Sequence, residues 1–349
     1  MTVIEIFDVT IIGGGPAGLY SAFYAGLREM KTKIIEAQSS LGGKVHVYPE
    51  KIIWDVGGLG PTTGAQLIEQ LTNQALTFNP EVVVNEKIIS ISKGKDGLFV
   101  LEAASGRVHY SKTVIAAIGS GILKPLKLAI EGAERFEVSN LHYMVHSLKY
   151  FKDKTVLISG GGNSAIDWAN LLVPVAKKVY LTHRKGSLSG HESQITQLQD
   201  SSADVLLNSS ITKLFACEHH EKIDRVELMN QETGEPTYLS VDDILINHGF
   251  DRDSTLLENS ELDIQLIDDF YIEGTVMCES SVPGLYAAGD ILKHEGKLNL
   301  IAGAFQDAAN AVNKAKQFIE PEASSSAMVS SHNEALKGKN KKVLEQILS

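Results

Sequence analysis

The chain has 349 residues, 43% hydrophobic and 21% charged, which is long enough for two hydrophobic cores and ordinary for a globular protein. Its formal charge of −11 argues against nonspecific nucleic-acid binding and against a general attraction to anionic lipid. The amino terminus shows no export signal and no stretch approaches the roughly 20 apolar residues of a membrane span, while the widely spaced Cys217 and Cys278 suit a reducing cytoplasm rather than a zinc site or a local redox pair.

Residues 8–12, DVTII, predict a short strand that breaks into GGGPAG, followed by a helical pattern, LYSAFYAGLREM, and a second strand, KTKIIE, ending at Glu36. Gly13, Gly15 and Gly18 form G-x-G-x-x-G in the strand–turn–helix setting that holds a dinucleotide. Gly13 permits the tight turn, Gly15 lets the backbone approach a pyrophosphate, and Gly18 lets helix and strand pack closely. The helix start directs free N–H groups and its positive dipole end at the phosphates. Glu36 stands where a carboxylate accepts from an adenosine ribose hydroxyl. KTVIAAIG (112–119) closes this unit.

A second such unit is KTVLISGGGNSAIDWANLLV, with a strand at 155–159, a turn on Gly160 and Gly162, and a helix from about Asn163 with Ser164 in its first turn. Ala165 takes the third glycine's place and is still small enough for close packing. The next strand, KKVYLTH, runs to His183 and meets Arg184 and Lys185. An acidic residue there favours the free 2′-hydroxyl of NAD; a cationic pair suits the 2′-phosphate of NADP, Arg offering a bidentate fork, with simple solvation of a strand end as the plain alternative. FAD in the first site and NADPH in the second is the economical division of labour.

DDILINHGF (242–250) is a matching final strand for the second unit, and GLYAAGDIL (284–292) returns to the first. Asp290, at that strand's end, is either a turn residue or an acceptor for a ribityl hydroxyl. Apolar residues recur at helical spacing along 300–318, and the helix start near Leu300–Ala302 would aim its dipole at the electron-rich edge of a flavin ring. The expected fold is α/β, with two Rossmann-like (three-layer ββα) dinucleotide-binding domains. The FAD domain comprises 1–118 and 251–349, and the NADP domain, 119–250, is inserted into it. Trp54 and Trp168 are expected in the core or in domain packing.

GGGPAG with Glu36, LGGKVHVYPEK, AAIGSG, GGGNSAID, HRK followed by His191–Glu192, and GLYAAGDI together resemble the thioredoxin-reductase-like branch of the two-dinucleotide-domain flavoproteins, over essentially the whole chain. LGGKVHVYPEK, YMVHSLKYF, HEGKLNLIAG and the tail SSHNEALKGKN are most similar to the bacterial ferredoxin (flavodoxin)–NADP reductases of that type. The resemblance implies one non-covalent FAD per subunit, NADPH or NADP+ as substrate, and a homodimer. It implicates Glu36, Lys44, Tyr48, Ile88, Leu123, Asp290 and Ser331 in FAD binding. Tyr48 would stack on the isoalloxazine, and the 321–349 tail would cross to the partner subunit's flavin, with Ser331 or His332 near the ring.

Thioredoxin reductases of this superfamily place a CxxC pair shortly before the second glycine loop, where this chain has Tyr143 and His146. Neither can exchange with a disulfide. The implied chemistry is therefore the flavin's own, with no side-chain acid or base. NADPH delivers a hydride, and electrons leave singly to ferredoxin or flavodoxin. A reductase of quinone, free flavin or oxygen, and a noncatalytic dinucleotide sensor, are the alternatives. Lys337, Lys339, Lys341 and Lys342 either attract an acidic carrier or are only a solvated surface, and the plain alternative for the whole tail is a disordered terminus, VLEQIL being helical in pattern but short.

Overall fold

The computed structural model describes residues 5–121 and 124–348. The chain divides into a discontinuous unit, Met1–Ile122 with Arg252–Ser349, and an inserted unit, Leu123–Asp251. In the first segment β1 (Ile6–Ile12), α1 (Pro16–Leu27) and β2 (Thr32–Ile35) follow the predicted strand–turn–helix–strand order. Pro16 opens α1 at a position whose N–H has no intrahelical partner. α2 (Gly64–Ala75) begins with a capping box, in which Thr63 Oγ1 accepts from Gln66 N–H at 3.2 Å and Gln66 Oε1 accepts from Thr63 N–H at 3.1 Å. β3 (Glu81–Val83) precedes an antiparallel meander, β4 (Ile88–Lys93), β5 (Phe99–Ala103) and β6 (Val108–Ala116).

The inserted unit opens with β7 (Lys124–Pro125) and β8 (Leu141–His142), then β9 (Thr155–Ser159), α3 (Asn163–Leu172), β10 (Lys178–Thr182), α4 (Glu192–Gln199) and β11 (Asp204–Leu206). An antiparallel sheet of β12 (Ser209–Ala216), β13 (Ile223–Asn230) and β14 (Pro236–Ser240) follows. β15 (Asp243–Ile246) completes a five-stranded parallel sheet in the order β8-β15-β9-β10-β11. β16 (Phe250–Asp251) pairs with β7, so the chain enters and leaves this unit along one two-stranded ribbon. Val156, Leu157 and Ile158 are fully buried, as a strand covered on both faces requires.

The returning segment adds β17 (Leu285–Ala287) and α5 (Ile301–Ile319) to the discontinuous unit and ends in α6 (Lys337–Leu348). Its sheet runs β3-β2-β1-β6-β5-β4, with β17 also paired to β6. One long strand joins the two parts: the start of β6 pairs antiparallel with β5, while Val114–Ala116 pair parallel with β17. α1 and α5 pack on this sheet through small buried residues, Ala22 and Ala25 on one helix and Ala308, Ala311 and Ala315 on the other.

Trp168 is buried in α3, but Trp54 is 72% exposed, which corrects the expectation of a core tryptophan there. The reason is strand alternation: Ile53 turns inward at 8% exposure, so its neighbours Ile52 and Trp54 face out.

Candidate functional site

The first glycine turn is sterically closed to any side chain at two points. Gly13 has φ +107°, and a Cβ there would lie 2.4 Å from the Ala117 carbonyl oxygen. A Cβ on Gly18 would lie 1.9 Å from the carbonyl oxygen of Gly13, so helix and turn touch backbone to backbone. Gly15 is the extended cap of α1, and no side chain caps that helix start. Gly42 N–H donates to Gly14 O at 2.8 Å, drawing the 40–48 loop beside the turn. Glu36 lies buried at the end of β2, its two oxygens accepting from Gly14 N–H at 2.6 Å and Gln38 N–H at 2.8 Å. Carboxylate, uncapped helix start and bare backbone form a donor and acceptor set that fits the adenosine ribose and pyrophosphate of FAD.

On the same unit Gly289 has φ +78° and packs between α1 and α5, a Cβ there lying 3.0 Å from that of Ala17 and 4.0 Å from that of Ala304. Asp290 follows in a partly buried turn. Tyr48 shares this neighbourhood: burial, with the charges of Asp290 and Asp55, pushes its phenol up to about 12, so the ring stays neutral and suited to stacking. α5 starts at Leu300 with no side-chain cap, leaving its first N–H groups free for an electron-rich edge. Lys44 is exposed in the same loop as Tyr48. Ile88 is 4% exposed, its side chain committed to a core with Ile91, Leu101 and Val114. Leu123 lies outside the described residues.

Ser331 and His332 are not brought to this turn within one chain. Asn333 Nδ2 donates to Leu27 O at 3.1 Å, Arg28 donates to Ser324 O, and Ala327 N–H donates to the Tyr24 hydroxyl. The tail therefore docks at the carboxyl end of α1, about 18 Å of helix from Gly15. Both residues are exposed there, and α6 buries none of its residues.

The inserted unit carries the second turn. A Cβ on Gly160 (φ +155°) would lie 2.5 Å from Asn247 O, and Gly162 caps α3 with open space beside it. Asn163 and Ser164 are exposed in the helix's first turn, and Asn163 Oδ1 accepts from His191 N–H at 2.9 Å, fixing the 184–191 loop to the helix start. Ser189 binds Gly161 O through both its N–H and its hydroxyl. Arg184 and Lys185 stand exposed after β10. Burial lowers the pKa of His183, and the cations Lys185 and Arg184 lower it further. The same causes, burial first and then Arg184 and His183, lower that of His248. Both rings are neutral near pH 7, so Arg184 and Lys185 are the fixed positive charges. This exposed fork beside a bare glycine turn fits the 2′-phosphate and pyrophosphate of NADP.

His248, Ser189 and Asn247 escaped the sequence reading. His248 Nε2 lies 2.9 Å from Ser159 Oγ at the end of β9. The available signal was position, since NHGF follows an apolar strand on the carboxyl edge of a parallel sheet, where ligands gather.

HYMVHSLKYF is structural in this unit. Tyr143 is partly buried and its hydroxyl accepts from Leu128 N–H at 3.2 Å, while His146 is exposed. Asp243, 1% exposed, receives His142 Nε2 at 2.7 Å, the Tyr150 hydroxyl at 3.0 Å and Lys154 Nζ at 3.0 Å. Cys217 and Cys278 are both free thiols and belong to different units. Burial, with Asp307 nearby, pushes the Cys278 thiol up to about 12, which leaves it unreactive. Among the described residues no group of three or more His, Cys, Asp or Glu side chains is placed to hold a metal, and no helix is long and apolar enough to cross a membrane.

Two glycine turns, one on a mixed sheet with a buried carboxylate beside it and one on a parallel sheet followed by a cationic fork, define a flavin- and pyridine-nucleotide-dependent oxidoreductase. Residues 7–315 match the family described as pyridine nucleotide-disulphide oxidoreductase, and the chain belongs to it. It is 69% identical over 344 residues to a protein named ferredoxin--NADP reductase 1 from Bacillus mycoides (strain KBAB4), covering 99% of both chains. It is 65% identical to ferredoxin--NADP reductase 2 of Exiguobacterium sibiricum, covering 99% of this chain and 98% of that one. Among solved structures it is similar to thioredoxin reductase of Lactococcus lactis, at 25% identity and a TM-score of 0.75, covering 90% of this chain and 99% of that one.

Proposed function

We propose that this chain is a ferredoxin (or flavodoxin)–NADP reductase, acting in the cytoplasm as a homodimer with one non-covalent FAD per subunit. The observation that carries the reading is the pairing of two dinucleotide turns with Tyr143 and His146 where a redox disulfide would otherwise stand. Glu36 and the Gly13–Gly18 turn would hold the adenosine half of FAD, and Tyr48, Asp290 and the open start of α5 its ring and ribityl chain. Gly160, Gly162, Asn163 and Ser164 would receive the NADPH pyrophosphate, and Arg184 and Lys185 its 2′-phosphate. When bound, FAD supplies the exchange between a two-electron donor and one-electron carriers. The protein binds both nucleotides, orients them and keeps thiols out of the route. The tail, docked at the far end of α1, is free to present Ser331 and His332 to the partner subunit's flavin.

Stopped-flow reoxidation of the NADPH-reduced enzyme by ferredoxin, flavodoxin, a quinone and oxygen tests the reading. Ferredoxin or flavodoxin should accept electrons well ahead of oxygen. Equal rates for carrier and oxygen would overturn it.

A further inference from the structure

Besides Glu86, which pairs with Arg107, the discontinuous unit buries a carboxylate that no dinucleotide motif explains. Asp307 lies on the second turn of α5, 6% exposed, and a charge so placed must be neutralised. Its Oδ2 accepts from Gly289 N–H at 3.0 Å and pairs with the ammonium of Lys297, whose side chain is 6% exposed. His294 Nε2 faces Oδ1 at 3.8 Å, buried and without a hydrogen-bond partner, while its Nδ1 lies 2.7 Å from Glu295 O. A single side chain thus ties together the turn that carries Asp290, the 294–300 loop and the helix whose open start follows that loop. The loop has no slack against the helix, because a Cβ on Gly303 would lie 2.2 Å from Leu298 O.

We propose that Asp307, acting with Lys297, is a positioning residue for the flavin. It holds the Gly289–Asp290 turn and the start of α5 in register, so that ribityl acceptor and helix N–H groups meet one ligand together. Lys297 brings the neutralising positive charge from the 294–300 loop. This inference rests on the FAD reading of the site.

The test is equilibrium titration of FAD into apoprotein of the full chain, with visible circular dichroism of the bound flavin. NADPH binding to the inserted unit serves as the folding control. Lys297→Met and Asp307→Ala should weaken FAD binding about 10- to 30-fold, the scale of losing a charge-assisted bond, and alter the flavin's dichroism. Asp307→Asn keeps an acceptor for Gly289 and should fall between them and the parent. Should Asp307→Ala fail to fold, Lys297→Met decides, since it strips no acceptor from the backbone. FAD affinity and dichroism within twofold of the parent in both Lys297→Met and Asp307→Asn would overturn the role. A parent chain that takes up no FAD is a different result, and it would refute the flavin reading itself.

Discussion

Removing the Asp243 carboxylate should destabilise the inserted unit selectively, because stretch 142–154 closes on it as a polar clamp. Asp243 is almost fully buried and takes bonds from His142, Tyr150 and Lys154, all from the one stretch 142–154 that leads into β9. Charge-assisted bonds contribute about 1.5–3 kcal/mol each and neutral ones about 1 kcal/mol. Lys154 is 30% exposed, which reduces its pair toward the surface value of about 1 kcal/mol or less. Asp243→Asn, which keeps the volume and one acceptor, should therefore cost about 2–3 kcal/mol. Asp243→Ala, leaving three donors without their acceptor, should cost about 3–5 kcal/mol. A Trp54→Phe background leaves Trp168, buried in α3 of the inserted unit, as the only tryptophan. Urea unfolding followed by its fluorescence then reads that unit rather than the whole chain. A loss of less than about 0.5 kcal/mol in Asp243→Ala, the range of an ordinary surface change, would refute the clamp.

Replacing Arg184 and Lys185 together with neutral residues should raise the KM for NADPH at least about 10-fold while leaving that for NADH nearly unchanged, since only the former carries a 2′-phosphate. An unaltered NADPH/NADH preference in steady-state kinetics would remove both residues from that site. His248 adds acid sensitivity: burial holds its folded pKa below the ordinary 6.5, so in the window between the two values the unfolded chain binds more protons than the native one. Stability therefore rises with pH through that window and is lost as pH falls through it, and Trp168-reported melts of His248→Gln between pH 5 and 7 should show a shallower decline than the parent. Parallel declines would show that His248 does not contribute.

The two nucleotide-binding units, and the insertion of one into the other, were legible in the sequence because their signals are local. A glycine held at φ +107°, a proline at the first helical position and an apolar run ending in Glu36 each constrain only their neighbours. The same locality made Arg184 and Lys185 visible at a strand end. It misled for Trp54, whose outward face depends on strand alternation with Ile53 pointing in. The remaining features join residues that the chain separates widely. Ser159 meets His248 across 89 positions, Arg28 reaches Asn313 across 285, and Asn333 docks on Leu27 O across 306. No periodicity marks such pairs, because a buried polar group accepts whichever partner the chain crossing supplies. Backbone stereochemistry and hydrophobic spacing are properties of short stretches, so the sequence by itself determined which cofactors the chain is built to receive. The neutralisation of Asp307 by Lys297 with a bond from Gly289 N–H, and the closure of stretch 142–154 on Asp243, arise only when strands and helices distant in the chain are packed, and the tertiary structure alone decided them.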